Sequence, residues 1–447
     1  MRLKQVTWLF LLISGAALCG ENLSMNEALG FCNQVVPSLQ SKSKSTPLQF
    51  ERTQLTGDVA AYRIQLRIGA GEHDVIGLHR VVKEVHGRPV RSDQALFLVH
   101  GDLFDFESIF LASKNNAALP PEHAYALFLA QAGVDVWGID RRWTQIPGET
   151  TDFSFLEDWD MAREVADTSL ALLIARNLRF YTTGSFDRFI LQGWSSGGSI
   201  AWALANKETK VPRVFRQVKA LIPTDTFFTL PEGADVDAGL RACARLESLQ
   251  GEIDGGNTFW NNSEFTIFSL LYQQDPDGAS PFFPGYTNKQ AFLGIGGFTY
   301  LLEGDTPFTS GYHFVGAGVD EQGLPEGLAF SDLNGFAGLI ESAVPFQDKG
   351  TRLDMEKIVC GETASEHGDN LGQIEIPVFY VGAAGGFGRL GAQTLQLLDQ
   401  APSVSELIIQ YYPDEYSFLD YGHADLFIAA DAAYQVWLPI LHWIEAL

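Results

Sequence analysis

Ser195 lies in the segment Gly193-Trp-Ser-Ser-Gly197, which separates an apolar run from a helix-prone run. Residues 189–192, Phe-Ile-Leu-Gln, are typical of a buried strand, and residues 200–205, Ile-Ala-Trp-Ala-Leu-Ala, are typical of a helix. In a sharp turn from strand to helix, glycines two positions before and after a serine let the strand and helix approach while the hydroxyl stays exposed. The pattern therefore favours Ser195 as a nucleophile on a turn of the kind called a nucleophile elbow.

A serine between a strand and a helix can also be a simple helix cap, because its oxygen accepts hydrogen bonds from free backbone N–H groups. The rest of the chain favours the catalytic interpretation. Apolar strands alternate with helical stretches, which predicts a mostly parallel sheet with helices on both faces. The strands are predicted at residues 94–101, 133–140, 189–194, 219–224, 376–382 and 406–412, with a helix over residues 123–131.

These features resemble the α/β-hydrolase superfamily, and within it the acid lipases, the gastric and lysosomal branch with its bacterial relatives. The resemblance covers roughly two thirds of the chain, at its two ends, and is absent between residues 226 and 373. It rests on the elbow and on segments at residues 76–80, 100–101, 129–137, 155–162 and 422–425. It implies an α/β-hydrolase fold with a large cap or lid insertion.

The chain of 447 residues exceeds what one hydrophobic core usually fills, so a core with a large insertion is expected. The basic start and the short apolar run before Cys19 predict a cleavable signal peptide and therefore a secreted protein, extracellular or periplasmic. A lipid anchor on Cys19 is disfavoured, because bulky Leu18 precedes it. The predicted parts are a signal peptide (1–20), an N-terminal arm (21–47), the first part of the core (48–225), the cap or lid insertion (226–373) and the second part of the core (374–447).

The formal net charge of −25 argues against nucleic acid as a partner, because phosphates require a basic surface. It also disfavours binding to anionic membranes, and it is typical of a solubilising surface. No segment after the signal peptide is long and apolar enough to predict a transmembrane helix, so stable membrane insertion is not expected. The sequence leaves the oligomeric state open.

A serine hydroxyl is a poor nucleophile at neutral pH and needs a base within hydrogen-bonding reach. The superfamily places this base, a histidine, on the loop after the last strand. His423, in Tyr421-Gly-His-Ala-Asp425, is at that position, immediately before an apolar helical segment that runs to Trp443. His79 is instead predicted on an early strand, and His367 and His442 in a polar loop and the terminal helix.

The third member of the predicted triad departs from the acid-lipase pattern. There an aspartate follows the strand equivalent to residues 376–381, but here that turn reads Gly-Ala-Ala-Gly-Gly-Phe-Gly-Arg, without a carboxylate. Some α/β-hydrolases, pancreatic lipase among them, carry the acid after the strand that follows the elbow helix, where this chain has Asp225. We therefore predict Asp225, with Asp414, Glu415 and Asp420 as alternatives. Asp425 is expected to cap the terminal helix and support its loop.

Acyl transfer also needs backbone N–H groups that bind the oxyanion. The resemblance implies the N–H groups of Ser196 and Asp102. An acidic side chain beside a developing negative charge is unexpected, so Asp102 should point away or be held by Arg141 or Arg142. His100 is expected to orient this loop and not to take part in catalysis.

Removal of a signal peptide would leave Cys32, Cys243 and Cys360, of which two are expected to pair in an oxidising compartment. A Cys243–Cys360 bridge would fix the base of the insertion, and a bridge involving Cys32 would fix the arm instead. No Cys-x-x-Cys or His-x-x-x-His pattern is present, so neither a metal nor a cofactor is predicted.

The insertion is rich in Phe, Tyr, Leu and Gly, which mostly indicates a small core of its own. Over the elbow it would roof the site with apolar surface, and its glycines would permit movement. We find no basic cluster in it, so a hydrophobic acyl or alcohol part is expected of the substrate. The predicted activity is hydrolysis of carboxylic esters, small or lipid, through an acyl-enzyme on Ser195. The alternatives are a non-catalytic ligand-binding protein of the same fold and an acyltransferase using the same triad.

Overall fold

The computed structural model describes residues 23–29, 49–234, 236–297, 313–321, 325–361 and 366–447. The predicted signal peptide and Cys32 lie outside these ranges, as does most of the predicted N-terminal arm. Of the arm, residues 23–29 pack on the core, where Met25 is buried and its sulfur accepts a hydrogen bond from Arg80. Within the described residues, no helix has both the length and the apolar character needed to cross a membrane.

A ten-stranded sheet forms the centre of the described structure. The strands of the described chain are β1 (Phe50–Thr56), β2 (Val59–Arg67), β3 (Val75–Val85), β4 (Arg88–Pro89), β5 (Ala95–Val99), β6 (Asp135–Asp140), β7 (Phe189–Trp194), β8 (Val218–Thr224), β9 (Phe259–Asn261), β10 (Ala317–Val319), β11 (Pro325–Leu328), β12 (Phe346–Asp348), β13 (Val378–Ala383) and β14 (Val404–Ile409). The order across the sheet is β1-β2-β3-β6-β5-β7-β8-β13-β14, with β4 paired to β3.

The sheet is parallel from β6 to β14 in this order, and β1, β2 and β3 pair with their neighbours antiparallel. The predicted mostly parallel sheet is therefore confirmed, and the early strand predicted at His79 is β3, whereas β1, β2 and the antiparallel pairing at this edge were not predicted. Every residue of β5, β6 and β7 is buried. Such continuous burial is what a parallel sheet with both faces covered requires.

Two apolar cores lie on opposite faces of the sheet because side chains alternate along a strand. On β5, Leu96 and Leu98 belong to one core, while Phe97 and Val99 belong to the other. The helices that cover these faces follow the strands in the chain. In the part of the chain that the structure describes after β1, the α-helices are α1 (Phe106–Phe110), α2 (Tyr125–Gln131), α3 (Met161–Thr183), α4 (Ser196–Thr209), α5 (Val236–Asp254), α6 (Ser263–Gln274), α7 (Asn288–Gly297), α8 (Leu333–Glu341), α9 (Gly350–Cys360), α10 (Gly388–Ala392), α11 (Asp425–Ile428) and α12 (Leu438–Glu445).

The segment between β8 and β13 contains helices α5 to α9 and two short antiparallel ladders, β9 with β12 and β10 with β11. A disulfide joins Cys243 on α5 to Cys360 at the end of α9. This is the first of the two pairings that the sequence left open. The bridge fixes these two helices to each other, and both contribute residues to the cavity described below.

Candidate active site

Ser195 occupies a strained turn between β7 and α4. Its φ of 58° and ψ of −129° place a non-glycine residue in a region of backbone space that such residues rarely adopt. Its backbone N–H donates to Thr224 O at the end of β8, over 3.0 Å. Ser195 stands at the N-cap position of α4, yet its side chain makes no capping hydrogen bond. The geometry is thus that of an elbow that presents the hydroxyl, and a capping role does not explain this serine.

Glycines surround Ser195 because neighbouring backbone leaves no room for a side chain. A Cβ atom on Gly193 would lie 2.1 Å from Gly197 O, and one on Gly197 would lie 2.3 Å from Val99 O. A Cβ atom on Gly101 would lie 2.7 Å from the Cβ of Ser195 itself. The elbow and the loop after β5 are therefore packed as closely as their backbones allow.

His423 lies on the loop before α11 and is buried. Its Nδ1 is 2.6 Å from Oδ2 of Asp225, which directly follows β8 and is fully buried. The ring of His423 stacks on the indole of Trp194, the residue before Ser195, with centroids 4.6 Å apart. The Trp194 Nε1 also donates to His423 O over 3.3 Å. Trp194 therefore ties the histidine loop to the elbow, a role that sequence reasoning missed although the aromatic residue was visible in the motif.

The glycine-rich turn after β13, which lacks the expected carboxylate, holds the carboxylate of Asp225 instead. The N–H groups of Ala383 and Gly388 donate to Asp225 Oδ1, each over 3.0 Å, and that of Phe387 donates to Oδ2 over 3.2 Å. A Cβ atom on Gly386 would lie 2.0 Å from Asp225 Oδ2. The turn is thus shaped to receive a carboxylate from the neighbouring strand.

The other candidate carboxylates make different contacts. Asp420 is buried and accepts backbone N–H groups of Tyr411, Tyr412 and Tyr421, while Asp414 and Glu415 are exposed. Asp425 accepts the N–H groups of Gly316 and Gly422 and is not the N-cap of α11. It therefore supports the histidine loop, as expected, but does not cap the helix. Among the candidates, Asp225 is the carboxylate that the structure brings to His423.

The two residues predicted to supply oxyanion donors face each other across the top of the sheet. Ser196 is the first residue of α4, where a backbone N–H has no carbonyl acceptor within the helix. Its hydroxyl donates to Asp102 Oδ1 over 2.5 Å and accepts from Arg141 Nη1 over 2.8 Å. Arg141 Nη1 is also 3.5 Å from Asp102 Oδ1. Of the two arginines considered, Arg141 therefore holds Asp102, while Arg142 pairs with Asp167 and Asp74.

His100 positions the loop that carries Asp102. Its Nδ1 donates to Gly101 O over 2.8 Å, and its Nε2 accepts the backbone N–H of Arg141 over 3.1 Å. This pairing requires the neutral ring, and burial together with the nearby Arg141 charge lowers the pKa of His100 to about 4. Burial raises the pKa of Glu164, which accepts from Arg141 Nε over 3.0 Å, to about 7.

Comparison with solved structures identifies the fold. A protein called a "putative lipase", from Sulfolobus solfataricus, superposes with a TM-score of 0.59 at 16% sequence identity, covering 89% of this chain and 99% of that one. The chain has an α/β-hydrolase fold. A thermophilic esterase from Thermogutta terrifontis, with malate bound, gives a TM-score of 0.40 at 13% identity, with 86% and 98% covered, too low a score to add to the assignment.

The sequence comparisons add nothing to this fold assignment. No protein-family model matches the chain. None of the curated proteins matches it either. The acid-lipase branch is therefore not established by relatives, and the site has to be interpreted from its own geometry on the α/β-hydrolase fold.

A small cavity of 20 Å³ adjoins the elbow and is lined by residues from five segments of the chain. Its lining comprises Ser195, Ser196, Thr226, Phe227, Arg245, Arg352, Met355, Glu356, Val359 and Phe387. Phe387, which lies within the glycine turn, also contacts the ring of His423 edge-on, with ring centroids 5.4 Å apart. The cavity therefore lies beside Ser195, and Phe387 on its wall contacts the histidine.

A wider cleft of 690 Å³ is lined by Asp102 and Leu103 on the core side and by α5, α6 and the β9 region on the other. Arg245 and Arg352 line both the cleft and the small cavity. No basic cluster was visible in the sequence of the insertion, whereas the structure brings these two arginines together on Glu356. The two arginines are far apart in sequence, on α5 and α9, and only the packing of those helices brings them together.

Proposed function

We propose that this protein is a secreted serine hydrolase that cleaves carboxylic esters with a hydrophobic acyl or alcohol part, in the manner of the acid lipases. The observation that carries the proposal is the arrangement at the carboxyl edge of the sheet. A strained, uncapped Ser195 directly follows Trp194, on whose indole the buried His423 stacks, and the Nδ1 of His423 lies 2.6 Å from the buried Asp225. A buried carboxylate on the far nitrogen of an imidazole is the arrangement that activates a serine hydroxyl.

In this mechanism the Oγ of Ser195 attacks the ester carbonyl carbon while His423 Nε2 takes the hydroxyl proton. Asp225 accepts the Nδ1–H of the ring and stabilises the imidazolium that forms. The carbonyl oxygen becomes an oxyanion, which the N–H groups of Ser196 and Asp102 bind. Collapse of this intermediate breaks the bond to the alcohol oxygen, which leaves with the proton from His423. Water then attacks the acyl-enzyme with the same base and frees the carboxylic acid and Ser195.

The charge of Asp102 does not oppose this role. Its carboxylate accepts the Ser196 hydroxyl and lies 3.5 Å from the fully buried Arg141 guanidinium, which offsets its negative charge. The alternative of a non-catalytic binding protein rested on the missing carboxylate after the late strand. Asp225 supplies a carboxylate to His423 from the neighbouring strand, and this favours the catalytic alternative. An acyltransferase would use the same residues with an alcohol in place of water.

The test is hydrolysis of 4-nitrophenyl esters, graded from acetate to palmitate, by the purified protein, with the released acid quantified against any transfer product. Ser195→Ala should lower kcat/KM by a factor on the order of 10⁴ or more. Ser113→Ala is the matched control, because that hydroxyl donates to Pro121 O at the surface, away from the site. No turnover of any ester by a folded wild-type protein, or full activity of Ser195→Ala, would contradict the proposal.

A further inference from the structure

Arg245 and Arg352 place positive charge on the wall of the cavity that Ser195 lines. Arg245 lies on α5 and Arg352 on α9, and both side chains face the small cavity and the wider cleft. Their side chains keep 14% and 12% exposure, although they are packed against the buried Glu356. A group bound beside Ser195 can therefore reach both guanidinium groups.

Glu356 fixes the orientation of the two arginines. Arg245 donates to both of its oxygens, from Nε over 3.1 Å and from Nη2 over 2.9 Å, and Arg352 Nε donates over 2.7 Å. The cavity lining thus contains two guanidinium groups and one carboxylate among its charged members. Two of the three charged residues on the wall beside Ser195 are therefore arginines, in a chain whose net charge is −25.

If the two arginines and Glu356 served only to hold α5 against α9, they would repeat what a disulfide already does. The Cys243–Cys360 disulfide already joins the same two helices. Cys243 lies two residues before Arg245 on α5, and Cys360 is the last residue of α9. Charged groups are costly to bury, and replacing a buried ion cluster by apolar residues is often neutral or stabilising. A second link between α5 and α9 therefore does not by itself account for two arginines on the cavity wall.

The other residues that line the two cavities indicate what kind of ligand would fit beside the arginines. Phe227, Met355, Val359 and Phe387 are apolar and lie on the same small cavity. In the wider cleft the carboxylates of Asp102 and Glu252 already have partners of their own, Arg141 and Lys349, and Glu264 is the further acidic side chain there. A ligand with an apolar portion and a carboxylate matches this combination, because guanidinium groups bind carboxylates in a planar, directed geometry.

We propose that the substrate carries a carboxylate in addition to the scissile ester, and that Arg245 and Arg352 bind this group. The proposal rests on the proposed ester hydrolysis at Ser195 and names its substrate class. The ester would thus be a half-ester of a dicarboxylic acid or a similar anionic ester, bound with its apolar portion beside Phe387. The two arginines are specificity residues and do not touch the reacting atoms.

The experiment compares two esters of matched length, 4-nitrophenyl hydrogen adipate and its neutral methyl ester. The wild-type protein should have a kcat/KM about tenfold or more higher for the anionic ester, mostly through a lower KM, and this ratio should fall as salt is added. Arg352→Gln and Arg245→Gln should each lower the ratio about tenfold, and Arg352→Lys should restore part of it. The matched control is Arg213→Gln, which removes an arginine paired with Glu375 away from the cavity and should leave the ratio unchanged.

Equal kcat/KM values for the two esters in the wild-type protein would overturn the proposal. So would an equal loss on both esters in the arginine variants, because that is the result of a structural role. If neither these two esters nor the graded 4-nitrophenyl esters are hydrolysed, the proposed function fails separately, and calorimetry with adipate then decides this inference. Binding that is weakened by Arg352→Gln but not by Arg213→Gln would support an anion site, and absence of binding to the wild-type protein would overturn it.

Discussion

The carboxyl edge of the sheet and the α5–α9 wall of the cavity meet at Ser195, but they are built in different ways. At the sheet edge, Ser195 and Asp225 directly follow β7 and β8, His423 lies two residues before α11, and neighbouring backbone groups hold all three. On the wall, Arg245, Arg352 and Glu356 are positioned by one another and by a disulfide between two helices. Under the two proposals above, catalysis depends on residues at strand ends, and specificity depends on the pairing of two helices that are distant in sequence.

The largest effect should come from the sheet edge. Asp225→Asn should lower kcat by a factor on the order of 10⁴, because an amide at this position favours the wrong tautomer of His423. Steady-state kinetics with a neutral ester measure this loss of kcat. The exposed Asp414→Asn is the control and should retain full activity. An Asp225→Asn protein with near-normal kcat would show that another group orients the histidine.

The disulfide tests whether the wall is a separate structural unit. Cys243→Ser combined with Cys360→Ser should lower the free energy of unfolding by about 4 kcal/mol, since the bridge closes a long loop. In this double variant, kcat/KM for the anionic ester should fall by a larger factor than the rate at which a small probe modifies Ser195, because the probe does not need the arginines. Chemical denaturation and probe labelling of the same samples measure both. An equal loss of both rates would show that the sheet edge also depends on the wall.

Arg141 lies at the sheet edge, and we expect it to affect kcat by offsetting the negative charge of Asp102. Arg141→Met should lower kcat about 100-fold, because Asp102 would then place an unbalanced negative charge next to the oxyanion. The substitution would also remove the guanidinium group that contacts both Asp102 and the Ser196 hydroxyl. Adding Asp102→Asn to this variant should recover part of the loss. A double variant no faster than Arg141→Met would show that the arginine acts by packing alone.

His100 should give the smallest effect, as a dependence of stability on pH. Its pKa is about 4 in the folded protein against 6.5 when exposed, so the unfolded chain binds a proton first as the pH falls. The stability from neutral His100 is present above pH 6.5 and is lost as the pH falls towards 4, by about 2 kcal/mol between pH 7 and pH 5. Denaturation curves of the wild type and His100→Asn should differ in this pH slope. Equal slopes would contradict this role.

The sequence predicted the sheet edge better than the wall, for physical reasons. Ser195, His423 and Asp225 stand beside apolar strands or helices, so local patterns and the superfamily resemblance locate them, and the structure places Asp225 on His423. The glycine turn after β13 was interpreted only as a missing carboxylate, since its backbone donors and its contact with Asp225 have no signature in residue type. Arg245 and Arg352 were missed because the pairing of α5 with α9 involves distant segments with no shared pattern.

Labelling with a fluorophosphonate probe tests most directly whether Ser195 is an activated nucleophile. The folded wild-type protein should be modified at Ser195, located by peptide mass mapping, and His423→Ala should be labelled at least about 100-fold more slowly, since the hydroxyl would lose its base. Absence of labelling in the folded wild-type protein, labelling at another residue, or an equal rate in His423→Ala would contradict the assignment of Ser195 and His423.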